Sequence, residues 1–539
     1  MASTFMGLET SKRGLSVQQS ALYTTGHNIS NANTIGYSRQ TVQMTPTNGF
    51  PGLGMNSPKI PGYLGTGATA GSITRVRDQF IDNQFRQETT NLGFWGSKTE
   101  AVKQLEDIFS EPSSYGLNTA FDDFYKAMQD ISTTPTNDAT RQVAVEKASH
   151  LADTFNYINK QLTQVQGDLK NQINVETKNV NSILEQILQL NQQIATVEPN
   201  GYLPNDLYDA RDNLVDQLSQ YVPITITKEG NGGNSQGNAE GTYIISMKLG
   251  TSTNGVPDTV ELVNKKDAAK LTAQTTTVDP VTGALTDKNF TEDEGYTPFS
   301  QFNIVMGGGG AGKTVSMAQM SKGTGVLQSL VDSYGHVEKS ADGLTLSAES
   351  GTYPKKINDL NKLAAEFAKE FNTIHNSGFT LGQDGKPSVA DKDFFVTTDG
   401  KPFSAANLAI SDAIKNDYSQ IAASSTQGES GNGTNAINLA KLKTQVLAGL
   451  NGASAQTFYQ GMVGDVGVLG EQAVRMAKNS ATLQLTIANN KASVSSVSLD
   501  EEMTNMIMFQ QAYNASARMM TVMDETLDKI INGMGRVGL

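Results

Sequence analysis

The residues with the sharpest chemical spelling are Gly307-Gly308-Gly309-Gly310-Ala311-Gly312-Lys313-Thr314, which satisfy the phosphate-loop pattern G-x-x-x-x-G-K-[ST] letter for letter. In that pattern backbone N–H groups cradle phosphates, the lysine reaches the terminal phosphates and the hydroxyl meets magnesium. The loop must open directly onto a helix. Here Val315 to Met320 leaves less than about two turns before Ser321-Lys322-Gly323-Thr324-Gly325, and no apolar strand ending in an acidic residue follows. Four consecutive glycines satisfy glycine-rich patterns cheaply, so a flexible surface loop is expected. A nucleotide hydrolase using Gly312, Lys313 and Thr314 is the alternative, and calorimetry with magnesium and ATP on Lys313→Ala would separate the two.

Other chemistry has less support. The four histidines, His27, His150, His336 and His375, are scattered, and none stands in a metal-ligand spacing. There is no G-x-S-x-G elbow. Cysteine is absent, which removes disulfides, thiol catalysis and cysteine-ligated metal together. Asp206, Asp209, Asp212 and Asp216 share one helical stretch, where a wet face or a packing partner is expected before acid–base chemistry. Catalytic, cofactor and metal sites are accordingly expected to be absent. A net charge of −13 offers no basic field for nucleic acid. No run reaches the ~20 apolar residues needed to span a bilayer, and the N-terminus has no basic region ahead of an apolar core, so it is not a general secretory signal.

The elements are dominated by helix. From Leu499 the positions Leu499, Met506, Tyr513, Met520, Leu527 and Met534 recur by sevens, with a second apolar column at Met503, Phe509, Met523 and Ile530. That spacing draws one stripe along a helix. Ser498 and Glu501 spell a capping box at its start. The head repeats the pattern with Leu8, Leu15, Leu22 and Ile29, so two terminal helices should pair with each other or with copies of themselves as a coiled coil. Helical spacing also marks 78–109, with Trp95 as a packing residue. It then runs without proline through 139–196, where Leu151, Phe155, Ile158, Leu162, Val165, Leu169 and Ile173 alternate steps of three and four and, after one polar gap, the stripe resumes at Val180, Ile183, Ile187 and Ile194. A return helix with Leu207, Leu214 and Tyr221 follows 206 and packs antiparallel on it.

At 539 residues the chain should form several domains. Residues 38–76 read as irregular with a short β-like run at Gln40 to Met44. Short strands at Ile224 to Thr227, Thr242 to Leu249 and Phe302 to Met306 define a β-rich domain at 222–330. Helix returns over 325–376, broken around Leu344 to Pro354, and residues 377–435 form a variable β and loop region with strands at Phe394 to Thr397 and Asn407 to Ile410. From Ala436 the chain reads as helical to its end. The fold class is mainly α with inserted β domains: an elongated multi-domain rod with terminal coiled-coil helices, a long antiparallel helical bundle and a β-rich middle insertion at the tip. The expected units are 1–37 with 495–539 (coiled coil), 38–221 with 436–494 (helical rod), 222–330 (β), 331–376 (helix returning to the rod) and 377–435.

Two long motifs carry a family resemblance. Leu22, then Asn28-Ile29-Ser30-Asn31-Ala32-Asn33-Thr34-Ile35-Gly36-Tyr37-Ser38-Arg39-Gln40, closely resembles the N-terminal signature of the axial proteins of the bacterial flagellum. Leu499-Asp500-Glu501-Glu502-Met503 and Phe509-Gln510-Gln511-Ala512-Tyr513-Asn514-Ala515-Ser516-Ala517-Arg518 are similar to their C-terminal signature. Within that superfamily, Pro204 to Leu214, Gly325 to Asp332 and Gly431 to Ala436 resemble the hook-associated junction proteins. The resemblance implies a structural, non-enzymatic subunit between hook and filament, secreted through the flagellar type III export gate without a cleaved signal peptide and located outside the cell. Its implied partners are copies of itself, the hook protein, the second hook–filament junction protein, an export chaperone and an assembly cap. Leu8, Leu15, Leu22, Ile29, Asn31, Asn33, Gly36, Tyr37, Leu499, Met503, Met506, Phe509, Tyr513, Met520, Met523, Leu527, Ile530 and Met534 then form the assembly interface. A recognition module of adhesin type on the β domain is a further alternative, which glycan binding by the 222–330 fragment would support.

Overall fold

A computed structural model describes residues 5–50, 64–110, 116–251, 257–279, 284–290, 295–309, 312–320, 323–340, 345–381 and 392–533. Helix α1 (Met6–Ser30) ends where Asn31 donates its side-chain amide to the His27 carbonyl at 3.1 Å, and Gly36 takes φ +83° to reverse the chain. The stretch read as irregular contains an antiparallel pair, β1 (Gln40–Pro46) and β2 (Ala68–Arg75), lying against α1. Strand β2 is Ala-Thr-Ala-Gly-Ser-Ile-Thr-Arg, too poor in apolar alternation to announce itself.

Helix α2 (Gln79–Ile108) begins at Asp78, whose carboxylate accepts from Phe80 N at 2.8 Å. The amphipathic α3 (Leu117–Thr133), which the sequence reading passed over, precedes α4 (Asp138–Val197). With 60 residues, α4 is ~90 Å long, and it is the rod the periodicity demands. Helix α5 (Asn205–Tyr221) runs back along it: Tyr208 reaches Glu198 and Arg211 reaches Asn191. The α5 face that is buried is not the spaced column Leu207, Leu214, Tyr221, which stays half-buried, but Tyr208, Arg211, Asp212, Val215 and Leu218.

The sheets lie along the second half of α4 and do not hang from its tip. A three-stranded meander joins β3 (Ile224–Glu229), β4 (Thr242–Thr251) and β5 (Pro257–Val263). Beside it, β6 (Ala269–Val278), β7 (Leu285–Asn289), β8 (Phe299–Met306) and β9 (Lys313–Ser316) pair in the order β7-β6-β8-β9. Amides on α4 bracket strand backbones. Asn181 accepts from Leu271 N at 2.7 Å and donates to Leu271 O at 2.8 Å, and Asn191 does the same for Tyr243 at 3.2 and 2.9 Å. These reciprocal bonds satisfy buried backbone groups that a helix face could not otherwise reach, which is one use for the Asn and Gln content.

Helices α6 (Val326–Tyr334) and α7 (Thr352–Asn376) return to the rod, and Pro354 sits in the first turn of α7, where a missing N–H costs little. Strands β10 (Phe395–Thr397) and β11 (Leu408–Ile410) pair antiparallel, with Asn372 of α7 accepting from Phe395 N at 2.9 Å and donating to Phe395 O at 2.8 Å. Phe121, Phe124, Phe367, Phe371, Phe394 and Phe395 pack ring against ring there. After α8 (Asp412–Asn416) and α9 (Thr434–Lys441) the chain is not helical to its end. Turns occupy 442–454, where Asn451 takes φ +56°, before α10 (Ala455–Ser495), and Ser496 to Ser498 separate α10 from α11 (Leu499–Gly533).

Candidate assembly interface

The two terminal helices come together, as their matched stripes require. Gly7 faces Met523 and Gly14 faces Ser516 at close range, so α1 and α11 pair antiparallel. The pair is thin. On α11 the buried side chains are Glu502 and Leu527, the latter 7% exposed, while Met506, Phe509, Tyr513, Met520 and Met523 are half-buried. Leu499, Met503 and Ile530 are exposed, and Met534 lies outside the described residues. On α1, Leu8, Leu15, Leu22 and Ile29 are half-buried, whereas Val17, Ala21, Thr24, Thr25 and Asn28 are buried.

A second apolar face of the pair points outward. Ile507, Met508, Met519 and Val522 fall within about 120° of one another on α11 and are roughly half exposed; Ile531 lies on the side of buried Leu527, and the exposed Tyr23 of α1 lies apart, beside Pro204 and Leu207. The heptad reading missed them. The signal was available in the doublets Ile507-Met508, Met519-Met520 and Ile530-Ile531, because two adjacent apolar residues about 100° apart give a helix two greasy faces.

The N-terminal motif builds a polar joint between this pair and the rod. Asn28 Nδ2 donates to Gln40 O at 2.9 Å, while Asn28 Oδ1 accepts from Gln40 N at 3.0 Å and from Tyr37 OH at 2.8 Å. Burial, then the charges of Asp206, Asp209 and Glu502, push the Tyr37 phenol up, so it stays a neutral donor. Ser38 N and Oγ donate to the two Asp209 oxygens at 3.0 and 2.7 Å. Arg39 N donates to Ser495 O, and Arg39 Nη1 meets Glu501 at 2.7 Å, so Glu501 faces a partner across the joint. Asn31 and Gly36 shape the turn, and Asn33 is exposed.

Beneath the joint lies a buried ion cluster, which decides between a wet face and a packing partner in favour of the partner for Asp209, Asp212 and Asp216. Arg75 Nη1 bonds Asp209 at 2.7 Å and Asp212 at 2.9 Å, Arg77 Nη1 bonds Asp212 at 2.6 Å, and Arg86 bonds Asp216 at 2.6 Å and Asp212 at 3.3 Å. Lys491 of α10 closes the ring onto Asp216 at 2.6 Å and Asp82 at 3.2 Å. Burial alone would raise Asp212, but Arg77, Arg75, Arg86 and Arg211 outweigh it and hold the carboxyl well below its usual range. Asp206 alone remains largely in water. The sequence signal was the spacing 209, 212, 216, which places three carboxylates along one face of a helix, and that face is the packed one.

The glycine run does not make a phosphate loop. Lys313 and Thr314 sit in β9, paired with Ile304 and Asn303 of β8, and Lys313 Nζ reaches Thr259 O at 3.4 Å. A strand follows where the motif needs a helix N-terminus; Gly310 and Ala311 lie outside the described residues. Among the described residues no cluster of three or more His, Asp or Glu could hold a metal, and no helix is long and apolar enough to cross a membrane.

A long helical rod with paired terminal helices and a polar joint defines a structural protein. The family model described as "Flagellar hook-associated protein FlgK helical domain" matches residues 102–395, and "Flagellar basal body rod FlgEFG protein C-terminal" matches 491–533. Flagellar hook-associated protein 1 of Bacillus subtilis is 38% identical over 99% of both chains, and that of Escherichia coli is 25% identical over 96% of this chain and 98% of its own. The flagellar hook junction protein FlgK from Burkholderia pseudomallei shares the fold, with a TM-score of 0.53 at 16% identity over 77% of this chain and 100% of that one. The chain belongs to the flagellar hook-associated protein 1 (FlgK) family. Its relatives are structural flagellar proteins and not enzymes.

Proposed function

We propose that the chain is a subunit of the junction between the flagellar hook and filament, outside the cell, and that it assembles there with copies of itself through α1 and α11. The observation that carries this reading is the outward apolar face of the terminal pair, Ile507, Met508, Met519 and Val522. Large apolar side chains left exposed along one side of a helix mark a contact with other protein. Leu8, Leu15, Leu22, Ile29, Asn31, Asn33, Gly36, Tyr37, the α11 columns from Leu499 to Ile530, and Met534 make up the proposed interface. On this reading hook protein lies on one side of the junction and the second hook–filament junction protein on the other.

Export completes the proposal. The chain travels unfolded through the type III gate with a chaperone and folds under an assembly cap, without losing its N-terminus. A chain with no cysteine and few large apolar residues suits that passage. The proposed units are the terminal pair, 1–37 with 495–539; the rod, 38–221 with 436–494; the sheets, 222–330; the returning helices, 331–376; and the 377–435 region. Imaging of labelled protein in flagella tests the function: signal at the distal end of the hook supports it, and signal along the filament or in the cell body rejects it.

A further inference from the structure

The β1–β2 hairpin packs on α1 and so sides with the terminal helices although the 38–221 division groups it with the rod; this enlarged terminal unit and the rest of the rod are held by different physics. The continuous apolar cluster starts at Ala101 and ends at Val466, so among the described residues no side chain of α1, β1, β2 or α11 belongs to it. What joins the terminal unit to the rod is polar: the Ser38–Asp209 and Gln40–Asp206 bonds, and Arg75 and Arg77 at the end of β2 reaching Asp209, Asp212 and Asp82. Two covalent links cross the same plane, at 76–78 and at 496–498. Between them opens a cleft of 480 Å³ lined by Gly36, Tyr37, Arg77, Asp216, Lys491 and Val497.

We propose that this ion cluster is a pivot with two positions. Locked, it sets α1, β1–β2 and α11 at one angle to the rod. Released, that unit turns as a body about the two links while the rod stays folded. Apolar surfaces lose free energy in proportion to the area uncovered, but buried ions regain solvation as they part, which offsets much of the lost attraction. Opening here is therefore far cheaper than opening a core contact of equal size. Asp212 is the hub, since it holds Arg75 and Arg77 from the terminal side together with Arg86 from the rod side.

The absence of cysteine makes the test clean. Spin labels at Met44→Cys and Tyr157→Cys report the hairpin-to-rod distance, and labels at Tyr157→Cys and Val468→Cys report the rod itself; all three sites are exposed. In full-length monomer the Asp212→Asn variant should displace the hairpin-to-rod maximum by several ångströms, or broaden it, and leave the rod pair unchanged. An unchanged hairpin-to-rod distance overturns the proposal, and so does equal broadening of both pairs. Should Asp212→Asn not yield folded chain, Arg77→Gln removes one of the terminal unit's two cations on Asp212 and carries the same outcomes.

Discussion

His375 offers a prediction whose size follows from its surroundings. It is 1% exposed near the end of α7, its ring lies edge-on to Phe394 at 5.5 Å, and its Nε2 accepts from Ala422 N at 3.1 Å. That acceptor exists only in the neutral ring. Burial, partly opposed by bonding to Asn376 and Lys392 and by the Asp393 charge, pushes the imidazole down to about 4. The unfolded chain holds this proton up to about pH 6.5, so it binds more protons than the folded one between those values. Stability is therefore fully present above 6.5 and falls as pH drops toward 4, by about 3 kcal/mol from this residue. Hydrogen exchange of the 392–424 segment at pH 7, 5.5 and 4.5, compared with His375→Gln, reads the effect locally. Wild type should lose protection more steeply than the variant. Parallel losses in both would refute the argument, because carboxylate titration common to the two would then account for everything.

Further outcomes follow from packing. A methyl on Gly93 would stand 2.3 Å from the Gln220 carbonyl, so Gly93→Ala must force α2 from α5 and cost about 1–3 kcal/mol, measurable by denaturant unfolding. Phe371→Ala empties the ring cluster around Phe124, Phe394 and Phe395 and should cost about 3–5 kcal/mol by the same assay. Leu15→Asp or Met520→Asp should abolish incorporation into flagella while circular dichroism of the rod is retained; normal motility would count against the paired-helix interface. Lys313→Ala should leave calorimetric traces with magnesium and ATP flat, as in wild type, and any saturable heat lost on substitution would reinstate the phosphate loop.

Much of the rod was legible because α4 carries apolar steps of three and four over most of its length, with polar Thr177 and Asn191 filling the gaps, and meets Pro199 at its end. Strands β10 and β11 were legible because Phe394 to Thr397 and Asn407 to Ile410 are compact β-prone runs between turns. Strand β2 was not, since its Ala, Gly, Ser and Thr residues gain their place from α1 and β1 and not from their own pattern. The joint was half legible: the motif residues stood out, yet their partners Asp209, Asp212, Arg75 and Arg77 lie far along the chain, and only the fold brings them within bonding distance. Helix pairing at the termini was readable from heptads. The second, outward face needed the structure, because exposure is relative to a partner that periodicity does not name.

On the proposed function, neighbouring subunits complete the packing of α1 and α11. In the single chain α11 buries one apolar side chain, Leu527, too little to offset the ordering of so long a helix. Hydrogen exchange by mass spectrometry on dilute monomer and on isolated hook–filament assemblies measures this directly. Amides of the first half of α1 and of the second half of α11, which pair with each other away from the joint, should exchange rapidly in the monomer and become strongly protected on assembly, while α4, the β1–β2 hairpin and the buried second half of α1 are protected in both. Equal protection of α11 in monomer and assembly would contradict the claim.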